Sequence, residues 1–123
     1  RIDTSDADSI QAVAAQVLAE HPDLNVVITM AGVMKIEDWH APQSSLAAAE
    51  STITTNVLGT IRLIAAFIEH LQTRPAATII TVSSGLGFTP LKVTPSYNAS
   101  KAAIHLLTET LRLQFAGSTV EFK

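Results

Sequence analysis

Tyr97 and Lys101 stand four places apart in Ser96-Tyr97-Asn98-Ala99-Ser100-Lys101, with only small residues between them. A phenol is a weak acid at neutral pH, with an ordinary pKa of about 10. A neighbouring ammonium favours the phenolate and lowers that value. On a helix, positions i and i+4 share a face, so Lys101 can reach the ring of Tyr97 or a ligand beside it. Such a pair suits proton transfer to and from an oxygen near neutral pH. By spacing alone, one turn of an ordinary helix surface is the stronger reading.

The elements that must position this pair are legible. Thr4 or Ser5 is expected to cap a first helix, over about 6–20, in which Ile10, Val13, Ala14, Val17 and Leu18 recur at helical spacing. His21-Pro22-Asp23 ends it. Val26-Val27-Ile28-Thr29-Met30 is a short apolar run rich in β-branched residues, the mark of a strand covered on both faces. Ala31-Gly32 closes it. A long helix is expected over 45–72, burying Ile53, Val57, Ile61, Ile64, Phe67, Ile68 and Leu71. Arg74-Pro75 breaks it, and Thr78–Val82 reads as a second buried strand. Loop 85–95 leads to a helix over 96–115, stopped by Gly117, and Thr119–Phe122 begins a third strand.

Helix, strand, helix, strand, helix, strand predicts a parallel α/β sheet in one domain. Ligands in such sheets sit at the carboxyl ends of the strands. Ala31-Gly32, Ser83-Ser84-Gly85 and Tyr97 all fall there, so the tyrosine stands where a site would be built.

Composition narrows the function classes. The 123 residues are 47% apolar and 15% charged, which suits one soluble globular domain. A net charge of −3 with no Lys/Arg cluster argues against nucleic acid. The absence of cysteine rules out thiolate chemistry and fits a cytoplasmic setting. The four histidines, His21, His40, His70 and His105, form no pair at metal-ligand spacing, so no metal site is expected. No apolar run reads as a membrane span, and Arg1-Ile2-Asp3 does not open a signal peptide.

Several motifs in order resemble the short-chain dehydrogenase/reductase family. Tyr97-Asn98-Ala99-Ser100-Lys101 matches its Tyr-x-x-x-Lys, and Ser84 stands thirteen residues earlier, where the family keeps its catalytic serine. Asn56, in Thr55-Asn56-Val57-Leu58-Gly59, matches its helix asparagine. Asp3-Thr4-Ser5-Asp6 resembles the segment that contacts adenine, and Ala31-Gly32 the turn that approaches the cofactor.

The resemblance implies an NAD(P)-dependent oxidoreductase interconverting an alcohol and a carbonyl. Tyr97 would be the acid/base and Ser84 would bind the carbonyl oxygen. Lys101 would hold the nicotinamide ribose, and Asn56 would hold a water leading from the lysine to solvent. Asp3, Thr4, Ala31 and Gly32, with Tyr97 and Lys101, would line the cofactor site. Plainer readings stand beside these: Ser84 as a turn cap, Asn56 as a surface polar residue, Asp3 as a chain-terminal turn residue, Gly32 as a turn glycine.

Two departures qualify the likeness. Where the family reads Asn-Asn-Ala-Gly, this chain reads Thr29-Met30-Ala31-Gly32. The family's opening strand and glycine-rich turn, and its closing substrate segment, have no counterpart in 1–123. The expectation is therefore a partial Rossmann-like parallel sheet of about three strands, with helices largely on one face. NAD or NADP would serve the parent protein, with none bound tightly by this chain. A small-molecule alcohol or carbonyl is the expected partner, with no nucleic acid and no membrane. A homo-oligomer through helices 45–72 and 96–115 is also expected. The alternative is a catalytically silent α/β fragment that self-associates.

Overall fold

A computed structural model describes all 123 residues, Arg1–Lys123, and its helices and strands alternate in the expected order. Helix α1 (Ala7–Glu20) is started by Asp6, whose side chain accepts the Asp8 N–H. Capping thus falls just past Thr4 and Ser5, the residues expected to supply it. Thr4 is buried instead, and Ser5 bonds the Asp3 carboxylate through both its N–H and its hydroxyl.

Strands β1 (Val26–Thr29), β2 (Ala77–Thr81) and β3 (Val120–Phe122) form a parallel sheet in the order β1-β2-β3. Val27 lies opposite Ile79, and Ile79 opposite Phe122. Parallel strands that advance one way across a sheet by right-handed crossovers keep their helices on one face. The core shows this: Ala77, Ile79, Val120 and Phe122 are buried together with Ala14, Ile64, Phe67 and Leu71. From the other face, Val26, Ile28, Met30 and Val82 remain 47%, 51%, 68% and 38% exposed. The β-branched run at 26–30 is therefore covered on one face only, a correction to the two-sided burial its composition suggests.

The long helical run begins at Pro42, whose fixed φ suits a first turn. It is three pieces: α2 (Pro42–Ile53), a π turn (Thr54–Leu58) and α3 (Gly59–Gln72). At the π turn the Gly59 N–H reaches back to Thr54 O. A π turn carries an extra residue and so rotates the face that follows it. Ile53 and Ile61, expected in the core, are exposed, while the polar Thr52, Asn56 and Thr60 are buried. By length and composition the run Pro42–Gln72 is apolar enough to cross a membrane, which sequence reading missed. Its apolar stripe of Ile64, Phe67 and Leu71 is spent on the sheet and on α1. Helix α4 (Pro95–Gln114) buries Ser100, Lys101, Ile104 and Thr108. Gly117, at φ 80°, turns the chain into β3.

Gly59 sets how closely the N-terminal segment lies on α3. A Cβ there would stand 2.6 Å from Thr4 O and 3.0 Å from Thr4 Cβ. Gly59→Ala gains up to about 1 kcal/mol of helix propensity. Forcing backbone apart costs about 1–3 kcal/mol, so the net change should destabilise. Gly85, where a Cβ meets nothing within 4 Å, is the control. Urea unfolding is expected to show a lowered midpoint for Gly59→Ala and almost none of that loss for Gly85→Ala; equal midpoints would refute the packing argument.

Candidate active site

The carboxyl ends of β1 and β2 lie side by side, and the chain leaving them builds a cleft. Met30, Gly32, Val33 and Met34 follow β1; Val82, Ser83 and Ser84 follow β2; Tyr97 and Lys101 come from the first turns of α4. Together they line a cleft of ≈ 280 Å³. Four of the sequence-derived site residues, Gly32, Ser84, Tyr97 and Lys101, thus meet in one place.

Lys101 Nζ lies 5.7 Å from the centroid of the Tyr97 ring, within cation–π range. The lysine is 7% exposed and donates to Val82 O at 2.7 Å, with no carboxylate in ion-pair reach. Burial pushes its ammonium below the usual lysine range. A solvated surface charge is excluded. Ser84 is a turn cap, its Oγ accepting the Leu86 N–H at 3.2 Å at the start of the 3₁₀ turn Gly85–Gly87, and it also lines the cleft. Its hydroxyl proton is given to no protein group, which leaves a donor facing the space beside Tyr97.

Asn56 sits behind this surface, 2% exposed, in the π turn. Its Nδ2 donates to Val33 O at 2.9 Å and to Ser100 Oγ at 3.0 Å, and its Oδ1 accepts Val33 N–H at 2.8 Å. Both amide hydrogens are used. A water at this side chain would have only the second lone pair of Oδ1. The reading of Asn56 as an exposed polar residue fails on burial. A Cβ at Gly32 would come 3.2 Å from Asn56 Oδ1 and 3.8 Å from Lys101 Nζ, so the glycine keeps open the space between them.

Asp3, Thr4 and Ala31 do not line the cleft. Thr4 is buried against Gly59. Asp3 forms a turn with Ser5, whose hydroxyl, and then whose N–H, hold its carboxyl below the ordinary range. Sequence reading missed two residues that brace α4. Ser83 Oγ donates to Lys101 O at 2.9 Å. Glu37, 5% exposed, accepts from Ser96 at the start of the helix. Neither contact has a sequence signature, because each joins segments distant in the chain.

The family model for short chain dehydrogenases matches residues 1–123. The chain is 38% identical over 119 residues to the uncharacterized oxidoreductase DltE of Bacillus subtilis, covering 97% of this chain and 47% of that protein. It is 28% identical to 2,3-dihydro-2,3-dihydroxybenzoate dehydrogenase of Escherichia coli, again covering 97% and 47%. The fold superimposes at TM-score 0.88 and 27% identity on a short-chain dehydrogenase/reductase of Burkholderia phymatum in complex with NAD, over 100% of this chain and 44% of that one. A Burkholderia cenocepacia short chain dehydrogenase in complex with NADP gives TM-score 0.83 at 27% identity, over 99% and 49%. The chain spans about half the length of the curated relatives it matches. Matched along its whole length, and with Tyr97 and Lys101 together in a cleft at the strand ends, it belongs to the short-chain dehydrogenase/reductase family.

Proposed function

We propose that this chain carries the acid–base centre of an NAD(P)-dependent oxidoreductase that interconverts an alcohol and a carbonyl. One observation carries the reading: Tyr97, Ser84 and a buried, unpaired Lys101 share one cleft at the carboxyl ends of β1 and β2. The tyrosine gives its phenolic proton to the carbonyl oxygen, and takes a proton from the hydroxyl in the reverse direction. Ser84 donates to the same oxygen and stabilises its developing charge. When bound, the nicotinamide supplies the hydride; the protein supplies orientation and electrostatics.

The residues fit the ribose end of such a cofactor. An ammonium has three donors, and Lys101 spends one on Val82 O. The open space at Gly32 lies beside the other two. Asp3 and Thr4 are proposed for the adenine side, Ala31 for the cofactor site and Asn56 for a water relay, on family likeness alone. We also propose that the chain is part of a longer enzyme, one that adds the glycine-rich turn and the substrate segment. Exposed Leu58 and Ile61 on one helical run, and Leu106 and Leu113 on α4, support a homo-oligomer through these helices. A cysteine-free composition supports a cytoplasmic location.

A second reading, a silent module that self-associates, is favoured by the bare sheet face of Val26, Ile28 and Met30. Calorimetry on residues 1–123 is expected to show marginal nucleotide affinity, and sedimentation a dimer or larger species at micromolar concentration. A well-folded monomer that binds NAD(H) or NADP(H) tightly would overturn both expectations.

In the whole enzyme, Tyr97→Phe is expected to lower kcat by at least about 10²-fold with nucleotide affinity retained. A variant that keeps most of its rate removes the acid–base assignment. Lys101→Met is expected to lose activity and to gain stability, because a desolvated ammonium is replaced by an apolar side chain of similar length. The sign follows from linkage. A lysine pKa lowered on folding means that the unfolded chain binds more protons, so wild-type stability rises with pH. The rise runs from the depressed folded value to about 10.4. The stability gain of Lys101→Met should be largest near neutral pH and shrink toward that limit. Denaturant midpoints across pH test it; a uniformly less stable variant would show the ammonium to be a structural asset.

A further inference from the structure

Helix α4, which carries Tyr97 and Lys101, does not cap itself. Its N-cap residue Thr94 gives the helix no side-chain hydrogen bond; the hydroxyl donates to Asn98 Oδ1 at 3.1 Å. Pro95 follows and has no N–H to satisfy. The next donor, the Ser96 N–H, is met by Glu37 Oε1 at 3.2 Å, from 59 residues away in sequence. Glu37 Oε2 accepts the Ser96 hydroxyl at 2.9 Å and the Trp39 indole N–H at 3.0 Å. The Glu37 N–H in turn donates to Val93 O at 2.9 Å, in the loop that feeds α4.

A glutamate is seldom buried unless its oxygens are paired. Glu37 is 5% exposed and has no cation in ion-pair contact. Its carboxylate is held by three N–H or O–H donors at the positive end of a helix. Those donors belong to Ser96, the residue before Tyr97, and to Trp39. The chain running from the cleft to Glu37 is fixed at its other end as well, where Asn56 holds both the N–H and the carbonyl of Val33. Val33 and Met34, on this doubly fixed segment, line the same cleft as Tyr97.

We propose that Glu37 is a positioning residue for Tyr97: its buried carboxylate, steadied by the Trp39 indole, acts through Ser96 to fix the phenol relative to the cleft wall formed by Val33 and Met34. The inference rests on Tyr97 being the proton-transfer group. Displacing a reacting group by about 1 Å costs up to about 10²-fold in rate, so a contact one residue away has kinetic weight. A plain helix cap would affect only stability.

The test uses the whole enzyme at a temperature where circular dichroism shows every variant folded. Glu37→Ala is expected to lower kcat by about tenfold or more with nucleotide Kd unchanged. Glu37→Gln, which keeps an acceptor for the Ser96 N–H, should recover part of the loss. Introduced into Tyr97→Phe, Glu37→Ala should cost no further kcat, since its effect passes through the phenol. The NMR signal of the Tyr97 ring, assigned by its loss in Tyr97→Phe, should shift or broaden in Glu37→Ala and return toward wild type in Glu37→Gln. Should Glu37→Ala fail to fold, Ser96→Ala removes the Oγ contact alone and should give a smaller loss of the same kind. A Glu37→Ala enzyme that loses thermal stability but keeps kcat and the ring signal would make the residue a cap and overturn the proposal. Equal factors in wild-type and Tyr97→Phe backgrounds would overturn it too. A Tyr97→Phe enzyme with normal rate would sink the acid–base reading, while the ring signal still reports whether Glu37 places Tyr97.

Discussion

Three hydrogen bonds at the side-chain amide of Asn56, two donated and one accepted, join three separate segments of the chain. The π turn supplies the asparagine, the segment after β1 supplies Val33, and α4 supplies Ser100. In a region of low dielectric such bonds are strong, and a missing partner is expensive. The cleft depends on this join. Val33 carries the backbone of one wall, while Ser100 is flanked by Asn98 and Ala99 on one side and Lys101 on the other, in the turn after Tyr97. The π turn carries Asn56 on the inner face of the run, with the polar Thr52 and Thr60 buried on either side of it. Thr60 returns its hydroxyl to Asn56 O at 2.9 Å.

Around that join the sheet is one-sided. Right-handed crossovers place α3 and α4 on the face of Ala77, Ile79, Val120 and Phe122, so that face alone is dry. Burial on one side suffices to align the three strand ends, and alignment is what the site needs. Ser83 and Lys101 both reach across from strand end to helix, through Ser83 Oγ to Lys101 O and Lys101 Nζ to Val82 O. The pair of contacts fixes α4 against β2 in two directions at once. Of the other face, Val26 and Ile28 line no part of the cleft and stay about half exposed, whereas Met30 and Val82 continue from it into the cleft wall.

What the sequence revealed and what it hid follow from the range of the interactions. The i, i+4 spacing of Tyr97 and Lys101, the β-branched strands and the amphipathic stripe of Ile64, Phe67 and Leu71 are local, and local pattern placed them correctly. Ser84 was singled out by its place at the end of an apolar strand, thirteen residues before Tyr97, and its cap on the following turn is likewise a local feature. Ile53 was misplaced because a 3.6-residue period was carried unbroken through a π turn that shifts the phase, whereas Ile61 stands within α3 at the edge of the buried stripe of Thr60, Ile64, Phe67 and Leu71. The one-sided exposure of β1 was hidden because an apolar strand has the same composition whether or not something covers it. Glu37 and Ser83 left no trace, since their partners lie 59 and 18 residues away.

The residues that break ordinary rules of burial connect to the first turns of α4. An ammonium without a counter-ion and a glycine that holds a gap open share the cleft with Tyr97, a carboxylate without a cation bonds the residue before it, and the π turn bonds Ser100 in the turn after it. Each costs stability on its own, and local violations of this kind concentrate where function imposes them. Lys101 shows the logic most clearly. Its single protein bond, to Val82 O, leaves most of an ammonium's donor capacity unused. A purely structural lysine in this position would be replaceable by methionine at no loss. A lysine that must present charge and donors to the space beside a phenol has no apolar substitute, and desolvation then becomes useful, because a poorly solvated cation acts on its neighbours more strongly than one screened by water.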